Sequence, residues 1–126
     1  MNPEPLMNLA EIVDRVKKHP QYDRVGMLLC HNGVVRATSR AGRPVRGLRV
    51  AVDRRRLAEI LETYRSRPGI VDIQVEIAAD QDLTVGDDVM FLVVAGDVRE
   101  NVIQTLEAAL NDIKGTATQK TEHFID

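Results

Sequence analysis

Apolar residues recur at the three-to-four-residue spacing of an amphipathic helix in three stretches of the chain. The first stretch follows Asn8 and the second follows Asp53, and both are residue types that cap a helix N-terminus. The third follows Asp97, which together with Glu100 resembles a capping box, and Gly115 is placed to end that helix. The stripes are Leu9, Ile12, Val13 and Val16, then Leu57, Ile60, Leu61 and Tyr64, then Val102, Ile103, Leu106, Leu110 and Ile113.

Short apolar or alternating runs between the helices predict β-strands. Three of them are Leu48 to Val52, Ile70 to Ala79 and Val89 to Ala95, the last preceded by a turn at Val85-Gly86-Asp87. The apolar run Val25 to Cys30 and the segment Val34-Val35-Arg36 flank Asn32-Gly33, which predicts a hairpin with a tight turn. The alternative is one longer strand with a bulge at Gly33.

The elements predict one α+β domain over residues 1–126, with an antiparallel or mixed sheet and about three helices. Residues 1–20 form its N-terminal helical segment, which ends near His19-Pro20. Arg40 to Gly47, with two glycines and a proline, predicts a mobile, arginine-rich loop. Residues 116–126 show no period and are expected to be a C-terminal tail.

The composition is ordinary for a globular domain, with 44% hydrophobic and 29% charged residues. Cys30 is the single cysteine, and its place in an apolar run predicts a buried core thiol in a reducing compartment. The first twenty residues carry acids and lack the apolar core of a secretory signal. The apolar runs are too short to span a bilayer, so a cytoplasmic protein with no membrane partner is expected.

The charges are distributed unevenly although the net charge is only −2. Between Arg36 and Arg56 there are eight arginines and one acid, whereas Ile70 to Asp112 holds ten acids and one base, Arg99. Such asymmetry is typical of a face that binds phosphate or the acidic surface of a partner protein. The alternative is a solvated loop whose arginines pair with nearby acids.

Generic motifs of catalysis and ligand binding are absent from the sequence. There is no phosphate-binding glycine loop, no HExxH and no cysteine and histidine spacing typical of metal sites, so neither a metal nor a cofactor is expected. His19, His31 and His123 are scattered along the chain. Nucleic acid is an unlikely partner because there are only four aromatic residues for base stacking, although the arginines could contact phosphates alone.

An ordered set of residues changes this picture: Gly26, Gly33, Val35-Arg36, Leu83, Gly86-Asp87, Arg99 at a helix start and Lys114 at its end. Over about residues 25 to 115, this set resembles the large (catalytic) subunit of molybdopterin synthase. The resemblance implies an α/β-hammerhead fold and a central homodimer. It also implies a small ubiquitin-like partner whose C-terminal Gly-Gly tail carries a thiocarboxylate. The tail supplies sulfur to cyclic pyranopterin monophosphate, which forms molybdopterin.

The resemblance assigns Lys114 as the catalytic lysine and Lys120 as an approximate second lysine. Arg36 and Arg99 are assigned to anion and phosphate binding, for which the planar guanidinium is well suited. Each residue also has an explanation without function. Lys114 has the charge that stabilises a helix C-terminus, Arg99 could pair with Asp97, and Arg36 could be a plain surface residue.

The chain departs from the family pattern at several positions. Val98 stands where the family has a histidine before Arg99, and Ala78-Ala79 stand where it has a His-Arg pair. Two hypotheses therefore stay open from the sequence. The chain is an enzyme of molybdenum cofactor biosynthesis, or it is a catalytically degenerate homodimer that acts as a partner-binding or regulatory module.

Overall fold

Three α-helices and six strands make up residues 8–126, the part of the chain that the computed structural model describes. The helices are α1 (Leu9–Lys17), α2 (Arg54–Arg65) and α3 (Arg99–Asp112). The strands are β1 (Met27–Val34), β2 (Val45–Val52), β3 (Ile70–Ile77), β4 (Leu83–Thr84), β5 (Asp88–Gly96) and β6 (Thr118–Phe124). A 3₁₀ turn covers Tyr22–Arg24, and a π-helical turn, called the π-turn below, covers Ile113–Ala117. Residues 1–7 of the predicted N-terminal segment lie outside the described residues.

The strands form two antiparallel sheets, which confirms the predicted α+β fold class. The first sheet has the order β1-β5-β3 and the second has the order β4-β2-β6. Because side chains alternate along β5, its residues serve two cores. Leu92 and Val94 face the main core, which α2, α3 and the second sheet complete. Phe91 and Val93 face a smaller core under α1.

Two of the three predicted helix caps are present. The side chains of Asn8 and Asp53 each accept a backbone N–H from the first turn of the following helix. The capping box predicted for Asp97 is wrong, because α3 begins one residue later with Val98 as its N-cap residue and no side-chain cap. The Asp97 carboxylate instead accepts hydrogen bonds from the Val98 N–H at 2.6 Å and the Asn101 amide at 2.9 Å.

The predicted hairpin at Asn32-Gly33 is wrong, and the alternative of one longer strand is confirmed. Met27–Val34 is a single strand that pairs with β5, and its register shifts between Gly33 and Val34. A two-residue hairpin turn needs positive φ angles, which Gly33 does not have. Pairing with β5 satisfies the backbone of this segment without reversing the chain.

Cys30 is exposed, so the prediction of a buried core thiol is wrong. It lies opposite Val93 on the face of the first sheet that α1 covers. However, α1 packs over β3 and β5, which leaves this part of the edge strand β1 open. Partial burial raises the pKa of the Cys30 thiol, so it stays protonated at neutral pH.

The C-terminal region holds more structure than the sequence pattern predicts. Gly115 does not end α3 with a left-handed residue, because the chain continues into the π-turn. Residues 118–124, expected to belong to an aperiodic tail, instead form β6 along the full length of β2. This pairing fixes the position of everything between α3 and the C-terminus.

The arginine-rich loop is a hydrogen-bonded turn in this structure. Strand β2 begins at Val45, inside the predicted loop. The Ser39 N–H donates to the Arg43 carbonyl at 2.8 Å, and Gly42 takes the positive φ of 88° that closes the turn. The Arg43 guanidinium stacks 3.7 Å from the centre of the Phe124 ring, which ties the loop to β6. The mobility of this loop stays a prediction.

Candidate functional site

Lys114 and Lys120 line one cleft between the two sheets, with a volume of about 430 Å³. Lys114 comes from the π-turn at the end of α3, and Lys120 comes from β6. Lys120 lies opposite Val50 of β2, so both side chains point to the cleft side of the second sheet. Arg40, from the arginine-rich loop, adds a third cation to the lining.

The rest of the lining is mostly apolar and none of it is acidic. The apolar members are Val34, Leu48, Val50, Ile77, Val89 and Met90, and His31, Gly33 and Thr118 complete the set. Three cations over an apolar floor attract anions, and the low local dielectric strengthens that attraction. The cleft is therefore suited to a ligand with phosphate or carboxylate groups and an apolar or planar body.

Burial of its two ends orients the π-turn that carries Lys114. Ile113 and Ala117 are 0% and 2% exposed, so the turn is held by its apolar ends while Lys114 between them is exposed. The Thr118 hydroxyl donates to the Ile113 carbonyl at 3.3 Å, across the turn. π-Helical turns are rare and frequently lie at functional sites.

Polar contacts from α2 hold the same turn. The Thr116 hydroxyl donates to the Asp112 carbonyl at 2.7 Å, and Arg56 Nε donates to that hydroxyl at 3.0 Å. The Tyr64 hydroxyl donates to the Asp112 carboxylate. Lys114 is thus positioned by a framework that runs through α2 as well as α3.

His31 is a lining residue that the sequence did not single out, whereas Arg40 belongs to the arginine-rich stretch that is typical of an anion-binding face. His31 lies on β1 on the same face as Gly33, and its Nε2 is buried without a hydrogen-bond partner among the described residues. Burial first, and then the charge of Lys114, lower the pKa of His31. The signal for His31 was its position two residues before Gly33 on a strand, which puts both on one face.

Arg36, predicted to bind anions, follows β1 but is not part of the cleft lining. Its Nε donates to the Thr38 carbonyl at 2.9 Å, and the residue is exposed. Val34, two residues earlier, does line the cleft. Arg36 therefore lies two residues beyond the cleft lining, close to the base of the arginine-rich loop.

Arg99, the second predicted anion-binding residue, lies far from the lysines. It opens α3, whose fourteen residues separate it from the π-turn by about 20 Å at 1.5 Å per residue. The ion pair considered with Asp97 is made with Glu100 instead, at 3.4 Å, with both side chains largely exposed. Within one chain, the structure does not bring Arg99 together with Lys114 and Lys120.

The positions that depart from the family pattern fall in two settings. Val98 is 50% exposed beside Arg99 at the start of α3. Ala78 is 3% exposed and belongs to the main core. An alanine at this position therefore packs as a core residue and offers no functional group.

Other candidate sites in residues 8–126 lack comparable chemistry. A second cleft of about 450 Å³, near Gly69 and Asp97, has Arg24 as its only cation. No group of three or more His, Cys, Asp or Glu side chains within the described range is placed to hold a metal ion. None of the helices described is long and apolar enough to cross a membrane.

Comparison with known protein families matches residues 3–116 to the family described as MoaE protein. No curated protein matches the chain. Among solved structures, molybdopterin synthase from Staphylococcus aureus is similar, with a TM-score of 0.77 and 18% identity over 96% of this chain and 88% of that chain.

Two further structures have the same fold. The MoaE protein of molybdopterin biosynthesis from Burkholderia ambifaria has a TM-score of 0.72 and 20% identity over 95% of this chain and 83% of that chain. A complex of subunits 1 and 2 of molybdopterin-converting factor from Helicobacter pylori has a TM-score of 0.71 and 16% identity, covering 98% and 87%. At these identities the structural likeness establishes the fold, and the family match covers most of the chain.

Proposed function

Because this chain belongs to the MoaE protein family, we propose that it is the large subunit of a molybdopterin synthase. It takes sulfur from the thiocarboxylated Gly-Gly tail of a small ubiquitin-like subunit and transfers it to cyclic pyranopterin monophosphate. Both reactants are anions, since one carries a thiocarboxylate and the other a phosphate. The proposal concerns the reaction and the partners, while the family itself assigns the chain to molybdenum cofactor biosynthesis.

One observation carries the proposal: Lys114 and Lys120 share a cleft with Arg40, and no acid lines it. The cations attract the phosphate and the tail carboxylate, and the apolar floor accepts the flat pterin. Lys114 is the catalytic group in this proposal, because it lies where both anionic reactants would bind and because lysine side chains serve as acids, bases or nucleophiles in enzymes. Lys120 assists by stabilising negative charge on the reacting groups.

The two arginines have separate roles in this proposal. Arg36, two residues beyond Val34 of the cleft lining, orients an incoming anionic group through its planar fork of donors. Arg99 is about 20 Å from the π-turn within one chain, as the length of α3 requires. It would therefore reach the same cleft only from a second copy of the chain, in the homodimer that we also propose.

The homodimer is tested by sedimentation at tens of micromolar protein, roughly, where a stable dimer is expected.

Arg99→Ala should then lower activity although Arg99 lies outside the cleft of its own chain. Mixing Arg99→Ala with Lys114→Ala should restore part of the activity, because one of the two sites in a mixed dimer then has both residues. A purely monomeric protein would remove this role of Arg99.

Docking of the small subunit is tested by titration calorimetry with a Gly-Gly-tailed sulfur-carrier protein. We expect binding that is lost when the Gly-Gly tail is deleted, and that weakens with added salt because the cleft is cationic. Lys120→Ala should weaken binding, with Lys18→Ala, at the exposed end of α1, as the matched control. Binding that is indifferent to the tail would contradict docking in this cleft.

The alternative function is a docking module that has lost catalysis. It is favoured by Val98 and Ala78, because neither supplies the polar group of the family pattern. The two proposals agree on homodimer formation and partner binding. They differ in product formation, which is therefore the measurement that separates them.

A further inference from the structure

Among the residues that the structure describes, His31 is the cleft residue with a buried side-chain polar atom that lacks a hydrogen-bond partner. Its Nε2 is buried and makes no hydrogen bond within residues 8–126. A buried nitrogen without a hydrogen-bond partner destabilises the fold, so its presence needs an explanation. Its place in the lining of the cationic cleft is a functional explanation, since a ligand there could supply the missing partner.

The backbone of β1 holds the imidazole next to open space. His31 pairs with Leu92 of β5, so its side chain is on the face toward α3 and the second sheet. Gly33 follows on the same face, and a Cβ there would come within 3.3 Å of Nε2. Because Gly33 has no side chain, the space beside Nε2 in the cleft lining is left free.

Every charged group that lines the cleft with His31 is a cation. Lys114 faces it from the π-turn, Lys120 from β6 and Arg40 from the loop, and no acid is part of this lining. Burial and Lys114 lower the pKa of His31, so the imidazole is neutral at neutral pH. A neutral imidazole has a nitrogen that accepts a proton.

We propose that His31 is a further catalytic residue, the base that removes a proton from an O–H or N–H group of the ligand held by Lys114 and Lys120. This role rests on the proposed function and names the proton acceptor of that site. In the step, the O–H or N–H bond breaks and its electron pair stays on the ligand atom. The proton moves to the imidazole, and the ammonium groups stabilise the new anion. The imidazolium then returns the proton to water.

Kinetics test the role directly. With the small subunit and the pterin precursor, His31→Phe should lower kcat by roughly 100-fold or more, with little change in KM, because general bases contribute about 10²–10⁴-fold. His31→Asn should lose as much, since it keeps a polar group but cannot take the proton. His123→Phe, on β6 outside the cleft lining, is the matched control and should keep wild-type activity.

The pH profile separates a base from a packing residue. Wild-type activity should fall as the pH drops through the lowered pKa of His31, because the imidazolium cannot accept a proton. In His31→Phe this acid limb should disappear from the residual activity. A variant with the wild-type rate or an unchanged acid limb would overturn the proposal.

A second measurement does not depend on turnover. Titration of the imidazole signals by NMR gives the pKa of His31, with inorganic phosphate as the probe for the cleft. The pKa of His31 should rise in Lys114→Met, which removes a repelling charge, and should rise again when phosphate binds. A His31 signal that responds to neither change would exclude it from the site, even if the chain proves to have no synthase activity. A response without synthase activity would instead count against the proposed function alone.

Discussion

Removing the Tyr64 hydroxyl should weaken both the fold and the framework under Lys114. This hydroxyl donates to the Asp112 carboxylate, which joins α2 to the last residue of α3. Tyr64 is 8% exposed and its ring belongs to the main core, while the hydrogen bond itself is partly buried. A hydrogen bond to a charged group contributes about 1.5–3 kcal/mol. Tyr64→Phe should therefore lower the free energy of unfolding by about that amount, and the melting temperature by roughly 6–12 °C.

The effect should depend on pH in a defined direction. The hydrogen bond to Asp112 raises the pKa of Tyr64 above its ordinary value of 10. The bond thus stabilises the fold fully below about pH 10, and this contribution is lost as the pH rises through the raised pKa. The difference between wild type and Tyr64→Phe should accordingly shrink in alkaline solution.

Both effects are measured by urea denaturation, which gives the free energy of unfolding at roughly pH 7 and roughly pH 10–11. Tyr22→Phe is the matched control, because no hydrogen bond of the Tyr22 hydroxyl is present within residues 8–126, and it should change stability by less than about 0.5 kcal/mol. Equal stabilities of Tyr64→Phe and Tyr22→Phe at pH 7 would show that the Tyr64 hydroxyl does not stabilise the fold. A difference that stays constant up to pH 11 would refute the electrostatic part of that stabilisation.

Two further predictions concern the site and the first sheet. Lys114→Ala should abolish product formation, while its free energy of unfolding, measured by urea denaturation, should change by less than about 1 kcal/mol. Lys17→Ala, at the end of α1, is the control and should change stability equally little. An active Lys114→Ala variant would exclude a catalytic role for Lys114. Asp72→Ala should cost about 2–4 kcal/mol, because Asp72 is 6% exposed and pairs with Arg65 at 3.5 Å. Glu62→Ala removes the exposed partner of the same arginine and should lower the free energy of unfolding by less than about 0.5 kcal/mol. Equal losses of stability in Asp72→Ala and Glu62→Ala would show that the burial of Asp72 does not strengthen its ion pair.

The helices could be predicted from the sequence because their signals are local. Asp53 caps α2, and the buried positions Leu57, Ile60 and Tyr64 follow at helical spacing. Strand β6 lacked such a signal because it has no alternating apolar face. Its position depends on backbone pairing with β2 and on the contact of Arg43 with Phe124, which join residues distant in sequence.

The first sheet shows how tertiary context overrides alternation. Asp72 is a charged residue in the strand run Ile70 to Ala79 but is buried, and Arg65 of α2 pairs with it. Cys30 falls in an apolar run but is exposed, because β1 is an edge strand that α1 does not cover. In both cases, the burial of the residue depends on whether another element of the fold covers it.

The site was predictable only as far as the resemblance extends. It supplied Lys114 and Lys120, which the structure brings to one cleft. It could not supply Arg40 or His31, whose positions in the lining follow from the loop and from the pairing of β1 with β5. Nor does the order of residues reveal that α3 separates Arg99 from Lys114, because that separation follows from the direction of the helix.

Product formation decides whether this chain is the large subunit of a molybdopterin synthase. The purified chain is mixed with a thiocarboxylated Gly-Gly-tailed small subunit and cyclic pyranopterin monophosphate, and molybdopterin is measured by its fluorescent oxidation product. We expect turnover by wild type and none with a small subunit that carries an ordinary carboxylate. Binding of the thiocarboxylated subunit without any product would contradict synthase activity and would support the docking module in its place.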